Sequence, residues 1–497
     1  MVLWISVILM LVVVSLFVQF LWGGDPSNYP PGPLAWPLVG NLFSIAGGDG
    51  FYSKILGLRN RHGDIFRLRL GEMSMIVVFG LENVRQVLVE KGDIFKNRPN
   101  WLYIPANVIK NRGLFWTNGN LWHKLSSLLI TTQSDASRQH HLENEILTEL
   151  TETFKEIKRA EGTALEGTAL EPESMMTRSV FNITASIAVG KRFDHTDQEF
   201  LTLKENILFL LNNCKSANPA NMFPVFARLA SSKFEQVRTR EDQIFEFFKK
   251  CLSEHAEKLD VNKCLDYMDV FLSLSAEDRK QEEYSEPNFF RSIIDLFLGG
   301  ADTTTSMLLW QLVYMSKYQD VQRRCQEEID QVVGKDRQVT LEDRANLPYT
   351  DATLKELGRS AGTIVNTALR TNTEETMIGK FKIPKDSIVI CDLRQPHINE
   401  EFWEEPMKFH PDRFLESTEG KPYHMYGMGP RQCVAKVAAE SVLFLFLSNM
   451  LQTFHITATG NPQQNDVSLD SFYTGVSLRP KLNSFHFAPR LEHSGDN

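Results

Sequence analysis

Tyr426-Gly-Met-Gly-Pro-Arg-Gln-Cys433 decides the reading of this chain, because a glycine-bent loop presents one thiol just ahead of the apolar run Val434 to Leu451. Gly429 allows a turn that a Cβ would hinder. The run that follows is helical in pattern, so the thiol sits near the positive end of a helix macrodipole with Arg431 two residues away. Both features favour thiolate over thiol. A thiolate in such a loop is equipped to bind heme iron and to push electron density toward O–O cleavage. Taken alone, the loop also fits an inert buried cysteine, the commoner fate of a single thiol.

Two further segments change the balance. Glu356-Leu-Gly-Arg359 places an acid and a base three apart on one helix face, and Arg413 in Pro411-Asp-Arg-Phe414 offers a second guanidinium. Gly299-Gly-Ala-Asp302-Thr303-Thr304 interrupts an otherwise apolar helix. Earlier come Pro30-Pro-Gly-Pro33, Asn97-Arg-Pro99 and Asn118-Gly-Asn-Leu-Trp122. In this order, from about Tyr29 to Arg490, the chain resembles the cytochrome P-450 superfamily of heme-thiolate monooxygenases. Val321-Gln-Arg-Arg-Cys-Gln-Glu-Glu-Ile-Asp-Gln-Val-Val-Gly334, followed by Leu347-Pro-Tyr-Thr-Asp-Ala352, most resembles the animal microsomal branch that metabolises drugs and steroids.

The resemblance implies a mainly α fold with a smaller β region, and a single heme b between a long distal helix and the Cys-loop helix. Cys433 is then the axial ligand of iron. Arg431 pairs with a heme propionate, Trp122 and Arg370 meet the heme edge, and Arg98 joins them. Glu356, Arg359 and Arg413 form a buried ionic cluster that serves register and specificity more than stability. Asp302 and Thr303 are the catalytic pair: the Thr303 hydroxyl organises a water and Asp302 connects it to bulk protons. The bland alternative has Thr303 bonding a carbonyl one turn back and Asp302 in a structural pair.

The implied reaction inserts one oxygen atom of O2 into a lipophilic substrate, by hydroxylation or epoxidation. Electrons come from an NADPH-dependent flavoprotein reductase, with cytochrome b5 as a second partner. By position, Tyr103 to Leu114, Phe209 to Asn213, Leu298 to Ala301, Ile364 to Leu369 and Phe472 to Val476 wall the substrate site, a mixture suited to a lipophilic guest. A noncatalytic membrane-anchored heme-binding paralogue is the alternative from another class. A reductase-independent peroxide isomerase or dehydratase is a third reading, although such relatives generally lack the acid-alcohol pair.

Departures from the family pattern gather around the heme. Ser126 replaces the arginine usual four residues after Trp122, removing a propionate partner and a basic group on the electron-receiving face; Ser127 continues that loss. Val365 and Leu369 stand where the microsomal branch has prolines, and Ser360-Ala-Gly362 replaces bulkier residues, which predicts a looser strand. Tyr426 and Ala435 are smaller changes. The ligand and the proton machinery both remain.

With 497 residues, 42% of them hydrophobic, the chain can bury a large core. Residues 1–22 read as an uncleaved membrane anchor helix, since about 20 apolar residues at roughly 1.5 Å each cross a bilayer; a cleaved signal peptide is the rival reading, though its apolar region usually runs only about 7 to 15 residues after a basic start. Residues 23–50 form a stiff Gly/Pro-rich linker, and 51–497 one catalytic heme domain. No Lys or Arg precedes Lys54, so charge gives no orientation; an endoplasmic reticulum membrane with the catalytic domain facing the cytoplasm is what the resemblance implies. Six cysteines without a C-x-x-C pair indicate neither zinc nor a disulfide framework. A net charge of −9 speaks against a nucleic-acid partner.

Within the domain, Ile65 to Leu70 and Met75 to Phe79 read as a hairpin, and helical patterns fill Gln198 to Cys214, Ser232 to Leu259, Phe289 to Tyr318 and Val321 to Val333. Glu161-Gly-Thr-Ala-Leu165 repeats as Glu166-Gly-Thr-Ala-Leu170, a duplicated surface loop, and Val476 to Pro489 reads as extended.

Overall fold

Helical periodicity governs the chain. In a computed structural model that describes residues 28–45, 51–163, 172–227, 229–458, 472–473, 477–481 and 484–490, helices dominate and strands form small sheets at the periphery. The principal helices are α1 (Phe51–His62), α2 (Gly119–Ser134), α3 (Ala136–Thr163), α4 (Pro172–Val189), α5 (Gln198–Asn213), α6 (Ser231–Lys258), α7 (Tyr267–Leu272), α8 (Glu286–Lys317), α9 (Gln319–Val332), α10 (Pro348–Ala361) and α11 (Lys436–Thr453). Asp197 caps α5 by accepting from Glu199 and Phe200 N–H, and α10 ends at Gly362 in the left-handed conformation.

Helix α8 is the central element because its apolar residues run nearly all round it, from Phe289 and Phe290 to Leu308 and Leu309, all buried. Helix α11 is likewise buried through Phe444, Leu445, Phe446 and Leu447. These two helices bring the distal and cysteine sides of the site together.

The β region is a four-stranded sheet in the order β1-β2-β6-β3, from β1 (Ile65–Leu70), β2 (Met73–Val78), β3 (Arg370–Thr371) and β6 (Ile388–Cys391). The hairpin is antiparallel with Ile65 opposite Val78, as its alternation predicts, while β2 and β6 run parallel with Met75 opposite Ile388. Pairs β4 (Thr376–Ile378) with β5 (Phe381–Ile383), β7 (Phe454–Ala458) with β10 (Phe485–Pro489), and β8 (Phe472–Tyr473) with β9 (Leu478–Arg479) complete it.

The anchor expected over residues 1–22 lies outside the described residues, as does most of the repeated pentapeptide; among described residues no helix is long and apolar enough to cross a membrane. The described part of the Pro-rich segment, expected to be a stiff linker, is tied to the sheet by backbone bonds. Arg67 N–H donates to Pro31 O at 2.7 Å, Asn41 N–H to Arg69 O at 2.6 Å, and Gly40 bridges Leu70, so the segment is strapped along β1.

On the far side, Glu149 of α3 is 1% exposed and accepts from Arg192 Nε at 2.8 Å and Asn182 Nδ2 at 3.2 Å, with His195 Nε2 at 2.8 Å. Hydrogen bonds to Glu149 and then Glu156 raise the His195 pKa to about 9. A raised folded pKa stabilises fully below the unfolded value of about 6.5 and fades as pH climbs through the folded value. His195→Gln should therefore lower stability by on the order of 1–2 kcal/mol at pH 6 and by little at pH 10. Melting temperatures of the two proteins across that range check it, and a pH-independent gap would contradict it.

Candidate active site

The cysteine loop is shaped by contacts that only glycine permits. Gly429 has φ 76°, and a Cβ on it would lie 1.7 Å from Leu88 O. Cys433 N–H donates to Tyr426 O at 2.9 Å and Gln432 N–H to Gly429 O at 3.0 Å, which closes the loop on itself. Helix α11 starts at Lys436, so Cys433 precedes the first helical turn. Its thiol pKa is raised by burial; a hydrogen bond from the Ala435 N–H and the Lys436 charge oppose that only partly. The expected activation by Arg431 is absent because the guanidinium is turned away, 3.9 Å over the Trp122 ring, donating to Lys96 O and Thr117 O. A metal would have to draw the proton off, as coordination of a thiol does.

Cys433 lines a cavity of about 980 Å³ of atom-free space, counting its mouth, together with Arg98, Arg370, Arg431, Thr303 and Met307. Cys433 is exposed where it lines this cavity. Arg98, Arg370 and Arg431 are 7%, 5% and 8% exposed. Arg98 donates to Phe115 O and, at 2.8 Å, to Leu369 O, while Arg370 reaches only Arg431 O at 3.3 Å and leaves its Nε without a partner. Among the described residues no carboxylate pairs with any of the three. Burial, then Arg370 and Arg431, push Arg98 well down; burial holds Arg370 at about 10, and burial and then Arg370 hold Arg431 at about 9. Such a cluster needs an anionic guest. A thiol that shares one cavity with three buried arginines lacking a carboxylate partner fits a heme, whose iron and propionates those residues could hold.

On the distal side, Thr303 lines the cavity and donates to Gly299 O at 2.6 Å. Asp302 is 3% exposed, with Oδ1 3.1 Å from Arg479 Nη2 and Oδ2 accepting from Ser477 at 2.8 Å. Arg479 also pairs with Glu173, whose side chain is partly exposed. The bland alternative for both residues is thus the arrangement observed. The direct link from Asp302 to bulk protons is replaced by an ion pair, because β9 brings Arg479 onto α8.

On the other side, Glu356 and Arg359 are fully buried and joined by two bonds, Arg359 Nε to Oε2 at 2.7 Å and Nη2 to Oε1 at 2.8 Å. Arg413 Nε and His410 N–H also donate to Oε1, at 3.1 and 2.9 Å. The cations left over are satisfied by carbonyls, among them His397 O to Arg359 at 2.6 Å and Glu404 O to Arg413 at 2.9 Å.

Trp122 and Gly429 do not line the cavity; Trp122 acts through Arg431, and Gly429 through Leu88. Of the expected substrate wall, Ile364 to Ala368 lines this cavity, apart from Val365, which is buried. Tyr103 instead packs on Phe234 at 5.5 Å, Phe209 lies beneath Arg240, and the side chains of Phe472 to Val476 fall outside the described residues. Ser126 donates into its own helix, to Trp122 O at 2.6 Å. The segment around Val365, expected to be loose, is pinned by Leu393 N–H to Val365 O at 2.7 Å and Thr367 N–H to Cys391 O at 2.9 Å. Asn118 and His397 were not foreseen. Asn118 accepts from Arg98 N–H at 2.7 Å and Arg431 at 3.3 Å; its place in the Asn118 to Trp122 motif was the available signal.

The cytochrome P-450 family model matches residues 30–487. The chain is 29% identical over 495 residues to cytochrome P-450 2J5 of Mus musculus, covering 98% of this chain and 96% of that protein. It is 30% identical over 484 residues to cytochrome P-450 2U1 of Homo sapiens, covering 91% and 87%. It is 28% identical over 493 residues to cytochrome P-450 1A1 of Canis lupus familiaris, covering 94% and 91%.

Replacing Glu356 by Gln strips the shared counter-charge from two buried guanidiniums. The expected cost is about 3–5 kcal/mol, read as a fall in the urea midpoint of unfolding. A loss below about 1 kcal/mol would show that the carbonyls alone hold the cluster.

Proposed function

The chain belongs to the cytochrome P-450 family and is a heme-thiolate monooxygenase, and from this we propose that it inserts one oxygen atom of O2 into a lipophilic organic substrate, by hydroxylation or epoxidation. The observation that carries this reading is Cys433 sharing its cavity with three guanidiniums that lack a counter-anion. Heme b is the proposed cofactor: Cys433 holds its iron, and Arg98, Arg370 and Arg431 hold its propionates. When bound, heme supplies the thiolate-ligated iron at which dioxygen is activated.

The chain's own residues position and protect. Thr303 spends its one hydroxyl proton on Gly299 O, so its oxygen still accepts a hydrogen bond from a water in the cavity and holds that water in place. Asp302 must swing off Arg479 and Ser477 before it can pass a proton to that water, which makes the Glu173–Arg479–Asp302 ion pairs a gate between solvent and cavity. Met307, Ile364 and Ala368 give the guest an apolar wall and keep bulk water out.

Electrons in this reading come from an NADPH-dependent flavoprotein reductase, with cytochrome b5 as a second donor. Residues 1–22 anchor the chain in the endoplasmic reticulum membrane, with one catalytic domain over 51–497 facing the cytoplasm. The kinship with microsomal relatives supports both assignments.

Purified protein with reductase, NADPH and a panel of lipids and drugs should consume NADPH and yield oxygenated product; loaded protein with no turnover on any of them would contradict the oxygenase reading. The reduced protein under carbon monoxide should show a strongly red-shifted Soret band that Cys433→Ser abolishes. Thr303→Ala should keep that band yet lower kcat by about 10²-fold. Unchanged turnover would remove Thr303 from proton delivery.

A further inference from the structure

His397 is 3% exposed and lines the same cavity as Cys433, yet the chemistry above gives it no task. It lies in the turn Gln395–Ile398. Its carbonyl accepts from Arg359 Nη1 at 2.6 Å, and that guanidinium is the one Glu356 grips twice. Its ring Nε2 accepts from the His424 backbone N–H at 2.9 Å.

An N–H can donate only to a ring nitrogen with a lone pair, so the imidazole is neutral with its proton on Nδ1. Burial, then His424, Arg359 and Arg394, push its pKa down to about 3, so this acceptor persists at any working pH. Backbone bonds continue the connection: Gly427 N–H donates to His424 O at 2.9 Å, and Cys433 N–H to Tyr426 O at 2.9 Å. Gly358 supplies a second contact between the same parts. A Cβ there would lie 2.6 Å from Met425 Sδ and 2.8 Å from Tyr423 Oη, so α10 meets the 423–425 segment with no side chain between.

We infer that His397 is a positioning residue that transmits the rigidity of the Glu356–Arg359 pair to the cysteine loop and sets how deep the Cys433 sulfur stands in the cavity. The inference rests on the reading of Cys433 as iron ligand. The carbonyl half of the link is backbone and survives substitution, whereas the ring half does not. Losing the ring acceptor strands the His424 N–H in a half-buried site, and the loop is then free to withdraw the thiolate.

The test uses heme-loaded, full-length protein. His397→Phe keeps a ring without an acceptor, and His397→Gln restores an amide oxygen. In mild denaturant, the red-shifted carbon-monoxide band of His397→Phe should convert to the blue-shifted, thiolate-free form about tenfold faster than wild type, and the His424 amide should exchange about tenfold faster. His397→Gln should return both rates most of the way. Wild-type rates in His397→Phe, or a glutamine variant as fast as the phenylalanine one, would overturn the inference. If His397→Phe does not accumulate, wild-type exchange decides: a His424 amide no better protected than those of exposed Glu416 and Ser417 overturns it, and clear protection upholds it. A wild type with no red-shifted band would instead defeat the ligand assignment and leave the exchange result standing.

Discussion

Three guanidiniums buried around one cavity without a carboxylate among them are the constraint on which the rest of this structure depends. Charges taken out of water cost several kcal/mol each unless they are paired, and here Arg370 disfavours the charge on Arg98 and Arg431, and Arg431 that on Arg98. Carbonyls of Lys96, Thr117, Phe115 and Leu369 soften that cost, and the Trp122 ring under Arg431 adds a cation–π contact. None of these carries a full negative charge. In the proposed reading a dianionic cofactor edge would balance the cluster, and the thiol lining the same cavity would take the cofactor's iron.

The two sides of the cavity are built by different physics. Under the cysteine loop the design is rigid: a bidentate Glu356–Arg359 pair, Gly358 against Met425 and Gly429 against Leu88 leave the loop little freedom. On α8 the groups are held by exchangeable partners, with Thr303 on Gly299 and Asp302 on Arg479 and Ser477. That difference suits the proposed roles, since a ligand must stay in register and a proton carrier must be able to move. The loss of the arginine at Ser126 is compatible with this scheme, since Ser126 satisfies itself within α2 and three other guanidiniums remain.

Much of this was legible in the residues. The glycine at 429, the hairpin at Ile65 and the central helix follow from φ preference and period, which are local; the cluster of Glu356 and Arg359 with Arg413, 57 positions from Glu356, comes from the family resemblance. What escaped depends on where remote segments meet. Sequence proximity suggests that Arg431 activates Cys433, but tertiary packing stacks it on Trp122, and α11 begins at Lys436, too late for Cys433 to sit in its first turn. Arg479 reaches Asp302 across 177 positions, and no local pattern announces it. His397 gives no sequence signal because its role comes from a carbonyl on one partner and a ring nitrogen on another.

The claim at the centre is that residue 433 places sulfur on the cofactor's iron. X-ray absorption at the iron K edge of the heme-loaded protein reads that bond directly. One sulfur should stand beside the porphyrin nitrogens in the iron's first shell and vanish in Cys433→Ser. A shell of light atoms alone in the wild type, or a sulfur that persists in the variant, would contradict it.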